Sequence, residues 1–102
     1  MYRISIDTTT RYKKEVILKK DDIKIDEIKG DIDIVASIQS ILRKNNLKLT
    51  DIKEIIPNPG PGSFTGIKIG IAIANVLNWI TGKKPLEELA NPRYGKPPNI
   101  QT

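Results

Sequence analysis

The 102-residue sequence predicts a single α/β domain, an antiparallel strand meander plus a parallel strand with two main helices. Three observations carry that expectation. Three short segments with β-type apolar patterning fall within the first 30 residues, two later stretches space their apolar residues as helices do, and a short Ile-rich run stands between those stretches. A chain of this length supports one core, because two would each be too thin to stand alone. Hydrophobic residues are 38% and charged residues 28% of the chain, spread along most of it, which fits a folded protein rather than a disordered one.

Tyr2 to Asp7 alternates, with Ile4 and Ile6 on one face and Arg3 and Ser5 on the other, and runs into the polar turn Asp7-Thr8-Thr9-Thr10. Tyr12 to Lys19 makes a second strand around Val16, Ile17 and Leu18. Lys20-Asp21-Asp22 turns into a third, Ile23 to Ile28, in which Ile23 and Ile25 share a face. After the break at Gly30-Asp31, either Asp31 or Asp33 caps a helix whose positions Ile34, Ile38, Ile41 and Leu42 keep helical spacing to Asn45 or Asn46. Leu47 to Lys53 reads as a connection, and Ile55-Ile56 as a short buried strand ended by Pro57. A second helix runs from about Thr65 to Thr81, closed by Gly82 with Lys83-Lys84 near its negative end. From Asn91 onward Pro92, Pro97 and Pro98 replace periodic apolar residues, so the predicted division is a domain over 1–84 and an extended tail over 85–102.

The chain has neither Cys nor His. Disulfides, thiolate nucleophiles, zinc motifs built on His, Ser-His-Asp triads and His general bases are thereby excluded. The longest mostly apolar run, Ile67 to Ile80, is interrupted by Lys68, Asn75 and Asn78, so no signal peptide or membrane span is expected and the protein is placed in the cytoplasm. The net charge of +5 permits nucleic-acid contact, but seventeen basic residues are interleaved with twelve acidic ones. Lys13-Lys14 and Lys19-Lys20 flank the second strand, where a solvated edge that discourages strand pairing is favoured over an RNA contact.

The loop Pro59-Gly60-Pro61-Gly62-Ser63-Phe64-Thr65-Gly66 follows the fourth strand directly. Its glycines permit positive φ, its prolines fix their neighbours, and its Ser and Thr stand at a helix start. Gly60, Gly62, Ser63, Thr65 and Gly66 are therefore candidate anion-binding residues. A P-loop, however, needs Gly-x-x-x-x-Gly-Lys-Ser/Thr, and here Gly66 is followed by Ile67-Lys68-Ile69, so a rigid strand-to-helix turn is the favoured reading. Asp7-Thr8-Thr9 poses the same choice between a metal-bound phosphate and an ordinary turn, and no second carboxylate is assignable to a metal. Gly66, Gly70 and Ala74 recur every four residues beside a mixed stripe of Lys68, Ala72, Asn75 and Trp79. The small stripe serves either tight packing on the domain's own sheet or a helix contact with a partner.

The run Gly60-Pro61-Gly62-Ser63-Phe64-Thr65-Gly66-Ile67-Lys68-Ile69-Gly70 closely resembles the GPGSFTG-[LIV]-R-[LIV]-G signature of the TsaB (YeaZ-type) proteins, which act in making threonylcarbamoyladenosine beside the tRNA anticodon. Ile4-Ser5-Ile6-Asp7-Thr8-Thr9 is similar to that family's opening Ile-Asp-Thr-Ser strand. Lys68 stands where the family usually has Arg, which keeps the charge but loses the planar fork. The resemblance covers residues 1 to about 84 and implies a single actin-like, Hsp70-like (ribonuclease H-like) half. The family usually has a second domain of comparable size. Pro92-Arg93-Tyr94-Gly95-Lys96-Pro97-Pro98-Asn99-Ile100 looks like its extreme C-terminus, so the chain is expected to be a compact natural version with the second domain absent.

What the resemblance implies is a non-catalytic scaffold with no cofactor. It would dimerise when alone, bind the catalytic TsaD subunit through its two helices, and meet tRNA indirectly through that complex. The helices over 33–46 and 65–81 would build the partner surface, with Gly66, Gly70 and Ala74 admitting a partner helix and Ile67, Ile71 and Trp79 as apolar anchors beside Ile34 and Ile38. The rivals are a nucleotide-binding actin-like module using Asp7 and the Gly60 to Gly66 amides, and a small tRNA-binding protein using the Lys-rich hairpin and tail.

Overall fold

A computed structural model describes residues 1–82. The elements follow as β1 (Tyr2–Asp7), β2 (Lys14–Lys20), β3 (Ile23–Gly30), α1 (Ile34–Lys44), a 3-10 turn (Leu49–Asp51), β4 (Ile52–Pro57) and α2 (Phe64–Ile80). The sheet order is β3-β2-β1-β4, with β1, β2 and β3 antiparallel in sequence and β4 parallel to β1. This is the predicted meander plus parallel strand. The Pro-rich tail expected over 85–102, and Lys83-Lys84, lie outside the described residues.

Alternation decides the inner face of the sheet. Ile4 and Ile6 of β1, Val16 and Leu18 of β2, and Ile55 of β4 are buried, and they meet Ile38, Ile41 and Leu42 of α1 and Ala74 of α2 in one core. Each fully buried Ile or Leu contributes about 1.5–3 kcal/mol. On the opposite face Arg3 pairs with Glu54 at 3.6 Å and Lys29 with Glu15 at 3.5 Å, as on a sheet solvated on one side.

Strand β3 departs from expectation. Its register with β2 shifts between Leu18 and Lys19, so that Leu18 opposes Asp26 while Lys19 opposes Lys24, and Ile25 is the extra residue of the bulge. Ile23 and Ile25 are consequently exposed, and Asp26 and Ile28 share the core-side register of Leu18 and Val16. Asp26 accepts from the Asn45 side chain at 3.1 Å and lies 3.5 Å from the Lys44 ammonium, which ties the C-terminus of α1 to the sheet.

The helix starts carry their caps. Asp33, of the two candidates, accepts from the Ala36 N–H at 2.9 Å, and Ser63 accepts from the Gly66 N–H at 3.3 Å. β2 starts two residues later than predicted because Tyr12 belongs to a turn closed by the Lys13 N–H donating to Thr10 O at 3.2 Å. β4 is longer than the predicted Ile55-Ile56, since Ile52 extends it to meet Tyr2 of β1. No helix among the described residues is long and apolar enough to cross a membrane.

Candidate functional site

The end of β1 and the loop before α2 form one hydrogen-bonded knot. Asp7 Oδ1 accepts from the Thr9 N–H at 2.9 Å and the Thr9 hydroxyl at 2.6 Å, while Oδ2 accepts from the Asn58 side chain at 3.1 Å. Burial pushes the Asp7 carboxyl up, but the hydroxyl and amide of Thr9 and the Asn58 amide outweigh it, and the group sits below the ordinary aspartate value. Asn58 in turn donates its N–H to Ile6 O and accepts from the Gly60 N–H. Asp7 is thus engaged with its own turn and with the loop that leaves β4.

Three of the loop's own amides are engaged too. Gly60 N–H goes to Asn58, Ser63 N–H to Thr9 O at 2.8 Å, and Gly66 N–H to Ser63 Oγ. An anion cradle needs such donors free and convergent, so Gly60, Ser63 and Gly66 act here as turn residues. Among the described residues, no three His, Cys, Asp or Glu side chains gather as a metal site requires.

The small stripe of α2 lies against the chain's own sheet. Thr8 is buried and donates its hydroxyl to Gly66 O. A Cβ at Gly66 would strike the Thr8 carbonyl oxygen, and one at Gly70 would strike the Thr8 hydroxyl. Ala74 is fully buried in the core. The expectation that Gly66, Gly70 and Ala74 admit a partner helix is corrected accordingly, because the end of β1 and the core already occupy that approach. Ile34, Ile38, Ile67 and Ile71 are likewise buried within the chain. Of the predicted anchors, Trp79 alone is exposed, at 59%.

Besides Trp79, the apolar surface that remains open on the two helices comes from residues outside the predicted anchor set. On α2, Ile69 (49% exposed), Val76 (50%) and Ile80 (68%) recur at seven and four residues on the face opposite Ile67, Gly70 and Ala74, with Trp79 alongside. Val35 of α1 is also exposed and shares a groove with Ile69 and Ile73. The available signal was quantitative: between Ile67 and Ile80 the polar residues are Lys68, Asn75 and Asn78, leaving more apolar positions than one helix face can bury.

A family model described as tRNA N6-adenosine threonylcarbamoyltransferase (TsaD) matches residues 32–87, more than half of the chain. The chain belongs to this family. Within it the chain is of the TsaB, or YeaZ, type. It is 27% identical over 97 aligned positions to the tRNA threonylcarbamoyladenosine biosynthesis protein TsaB of Bacillus subtilis, covering 85% of this chain and 42% of that protein. It is 48% identical over 44 residues to the Escherichia coli protein of the same name, covering 43% of this chain and 19% of that one. In three dimensions it is similar to YeaZ from Pseudomonas aeruginosa, with a TM-score of 0.72 at 20% identity over 80% of this chain and 40% of that one. The shared fold is a single actin-like half. The chain spans less than half the length of these relatives.

Proposed function

We propose that this chain is a non-catalytic subunit in threonylcarbamoyladenosine biosynthesis, docking on a TsaD-type catalytic protein and pairing with a second copy of itself when alone. The docking surface is the outer face of α2, Ile69, Val76, Trp79 and Ile80, with Val35 of α1 beside it. The observation that carries this reading is that α2 is apolar on two opposite faces, of which the sheet covers one. A helix apolar all round is normally core, so the uncovered face is stabilised by a partner. The internal engagement of Asp7 and of the Gly60, Ser63 and Gly66 amides favours a supporting role over nucleotide chemistry.

Size-exclusion chromatography with light scattering tests the proposal, using the chain alone and mixed with the TsaD-type protein of the same organism. Wild type should form a dimer alone and a heterocomplex in the mixture, the two competing for one face. Val76→Glu should weaken both by about tenfold or more, the loss expected at a central apolar contact. The exposed position of Val76 leaves folding intact, whereas Gly70→Arg would report on the fold, since Gly70 abuts Thr8. A heterocomplex indifferent to Val76→Glu removes this face as the interface, and no complex between folded partners removes the scaffold role.

A further inference from the structure

Apart from Lys68, the charge on the two helices lies at the ends of α1. Asp31 and Asp33 stand before its first turn, and Arg43 and Lys44 occupy its last. Asp33 and Arg43 are ten residues apart, about 15 Å along the axis. The exposed positions between them, Val35, Ala36, Gln39 and Ser40, are uncharged, and α2 contains no acidic residue. At the acidic end Asp31 is 70% exposed, and its ion pair with Lys14 spans 3.9 Å. At the basic end Lys44 is held by Asp26 at 3.5 Å, while Arg43 is exposed and in no ion pair among the described residues.

The two helices run in the same sense. β3 and β4 both run parallel to β1, and each helix returns from one of them. The start of α1 and the first half of α2 line one groove, through Asp31, Asp33, Val35, Ile69 and Ile73. The acidic end of α1 therefore borders the exposed apolar face of α2.

We propose that a second copy of this chain lies across α1 and α2 with its helices antiparallel, Asp31 and Asp33 of each chain meeting Arg43 of the other. The inference rests on the reading of this face as the self-association surface and adds its orientation and the residues that select it. A twofold axis crossing both helices at mid-length lays each helix on its own copy, so the acid-to-base match is made twice. The same axis sets Ile69 of one α2 against Val76 of the other, with the small exposed Ala72 near the centre, and it opposes the helix dipoles. A twofold axis along the helices would instead lay α1 of one copy over α2 of the other, where Arg43 finds no carboxylate. An apolar partner lacking this charge pattern leaves Asp31, Asp33 and Arg43 unmatched, which selects against it.

Sedimentation velocity of the full chain over a concentration series tests this by charge reversal. Arg43→Glu alone and Asp31→Arg alone each put like charges together twice in the homodimer and should weaken it about tenfold. An equimolar mixture of the two variants should regain wild-type affinity as a heterodimer, because opposite charges then meet at both ends. The chain carrying both substitutions should regain it as a homodimer. Asp33→Asn, which removes the charge and keeps a good helix cap, should weaken the dimer about threefold. The wild-type dimer should also weaken as salt rises. Single reversals that leave the dimer at wild-type strength while Val76→Glu breaks it would overturn the antiparallel pairing and leave the docking face standing. Weakening by both reversals with no rescue in the mixture or the double variant would overturn it in favour of another orientation. A wild-type chain that stays monomeric, or a dimer indifferent to Val76→Glu, would overturn this orientation together with the self-association reading.

Discussion

The side chain of Asn78 and the main chain of Ile55 form a reciprocal pair: Asn78 Nδ2 donates to Ile55 O and Asn78 Oδ1 accepts from Ile55 N–H, each at 2.8 Å and both buried. Ile55 stands beside Ile4 of β1 in register but directs both its polar groups at α2. An amide on a helix thus takes the place of a neighbouring strand at this point of β4, the strand at the end of the sheet order. The same pair fixes α2 in rotation and in height against the sheet.

Replacing Asn78 by Ala leaves the Ile55 N–H and C=O buried without partners, at about 1–3 kcal/mol for each group. Urea denaturation of Asn78→Ala should show a loss of about 2–6 kcal/mol with the m-value unchanged. An open edge at Ile55 should also raise self-association in light scattering. A loss below about 1 kcal/mol would mean that the pair is incidental.

Gly66 and Gly70 both meet Thr8, but at different atoms, and their substitutions should differ. Gly66→Ala meets backbone oxygen and has no local escape, so it should cost about 3 kcal/mol or more, at or beyond the upper end for overpacking. Gly70→Ala meets the Thr8 hydroxyl. Thr8→Ala should therefore relieve Gly70→Ala in a double-mutant cycle and leave Gly66→Ala unrelieved, read as coupling of about 0.5–3 kcal/mol in thermal melts.

Asp7 and Asp26 are both held below the usual aspartate value of 3.8. For Asp26 the Asn45 amide is the main cause, aided by the Glu27 N–H and the Lys44 charge against the opposing push of burial. A carboxyl whose pKa is lower folded than unfolded stabilises the fold fully above its unfolded pKa and loses that contribution as pH falls through the folded one. Stability should thus decline from about pH 5 downward, through and below 3.8. Asp7→Asn should be less stable than wild type at about pH 7, and the difference should shrink by about pH 3 in acid-titrated melts. A gap independent of pH would show that the Asp7 charge contributes nothing.

Ile80→Glu belongs with Val76→Glu as a surface change. Both side chains are at least half exposed, and each variant should melt within about 0.5 kcal/mol of wild type, as surface substitutions usually do. Destabilisation beyond about 1 kcal/mol would mean that the outer face of α2 packs within the chain.

Much of this was legible in advance. The alternation of Ile4 and Ile6 fixed the inner face of β1, and Asp33, one of two candidate caps, starts α1. The GPGSFTG run carried the family. The bulge at Ile25 was not legible, because Ile23 and Ile25 alternate as inward residues would and only pairing with β2 shows the extra residue. The knot at Asp7 joins residues 51 apart, Asp7 and Asn58, through ordinary turn-forming side chains.

By itself the sequence determined the elements, their order and the family, because hydrophobic period, capping chemistry and the glycine-rich signature are local properties of the chain. The tertiary structure alone decided which face of α2 lies inside. Both faces are apolar and repeat with the same period, so burial does not choose between them. The choice rests on the close approach of Thr8 to Gly66 and Gly70 and on the fit of Asn78 to Ile55, contacts between segments that adjacency in sequence cannot specify.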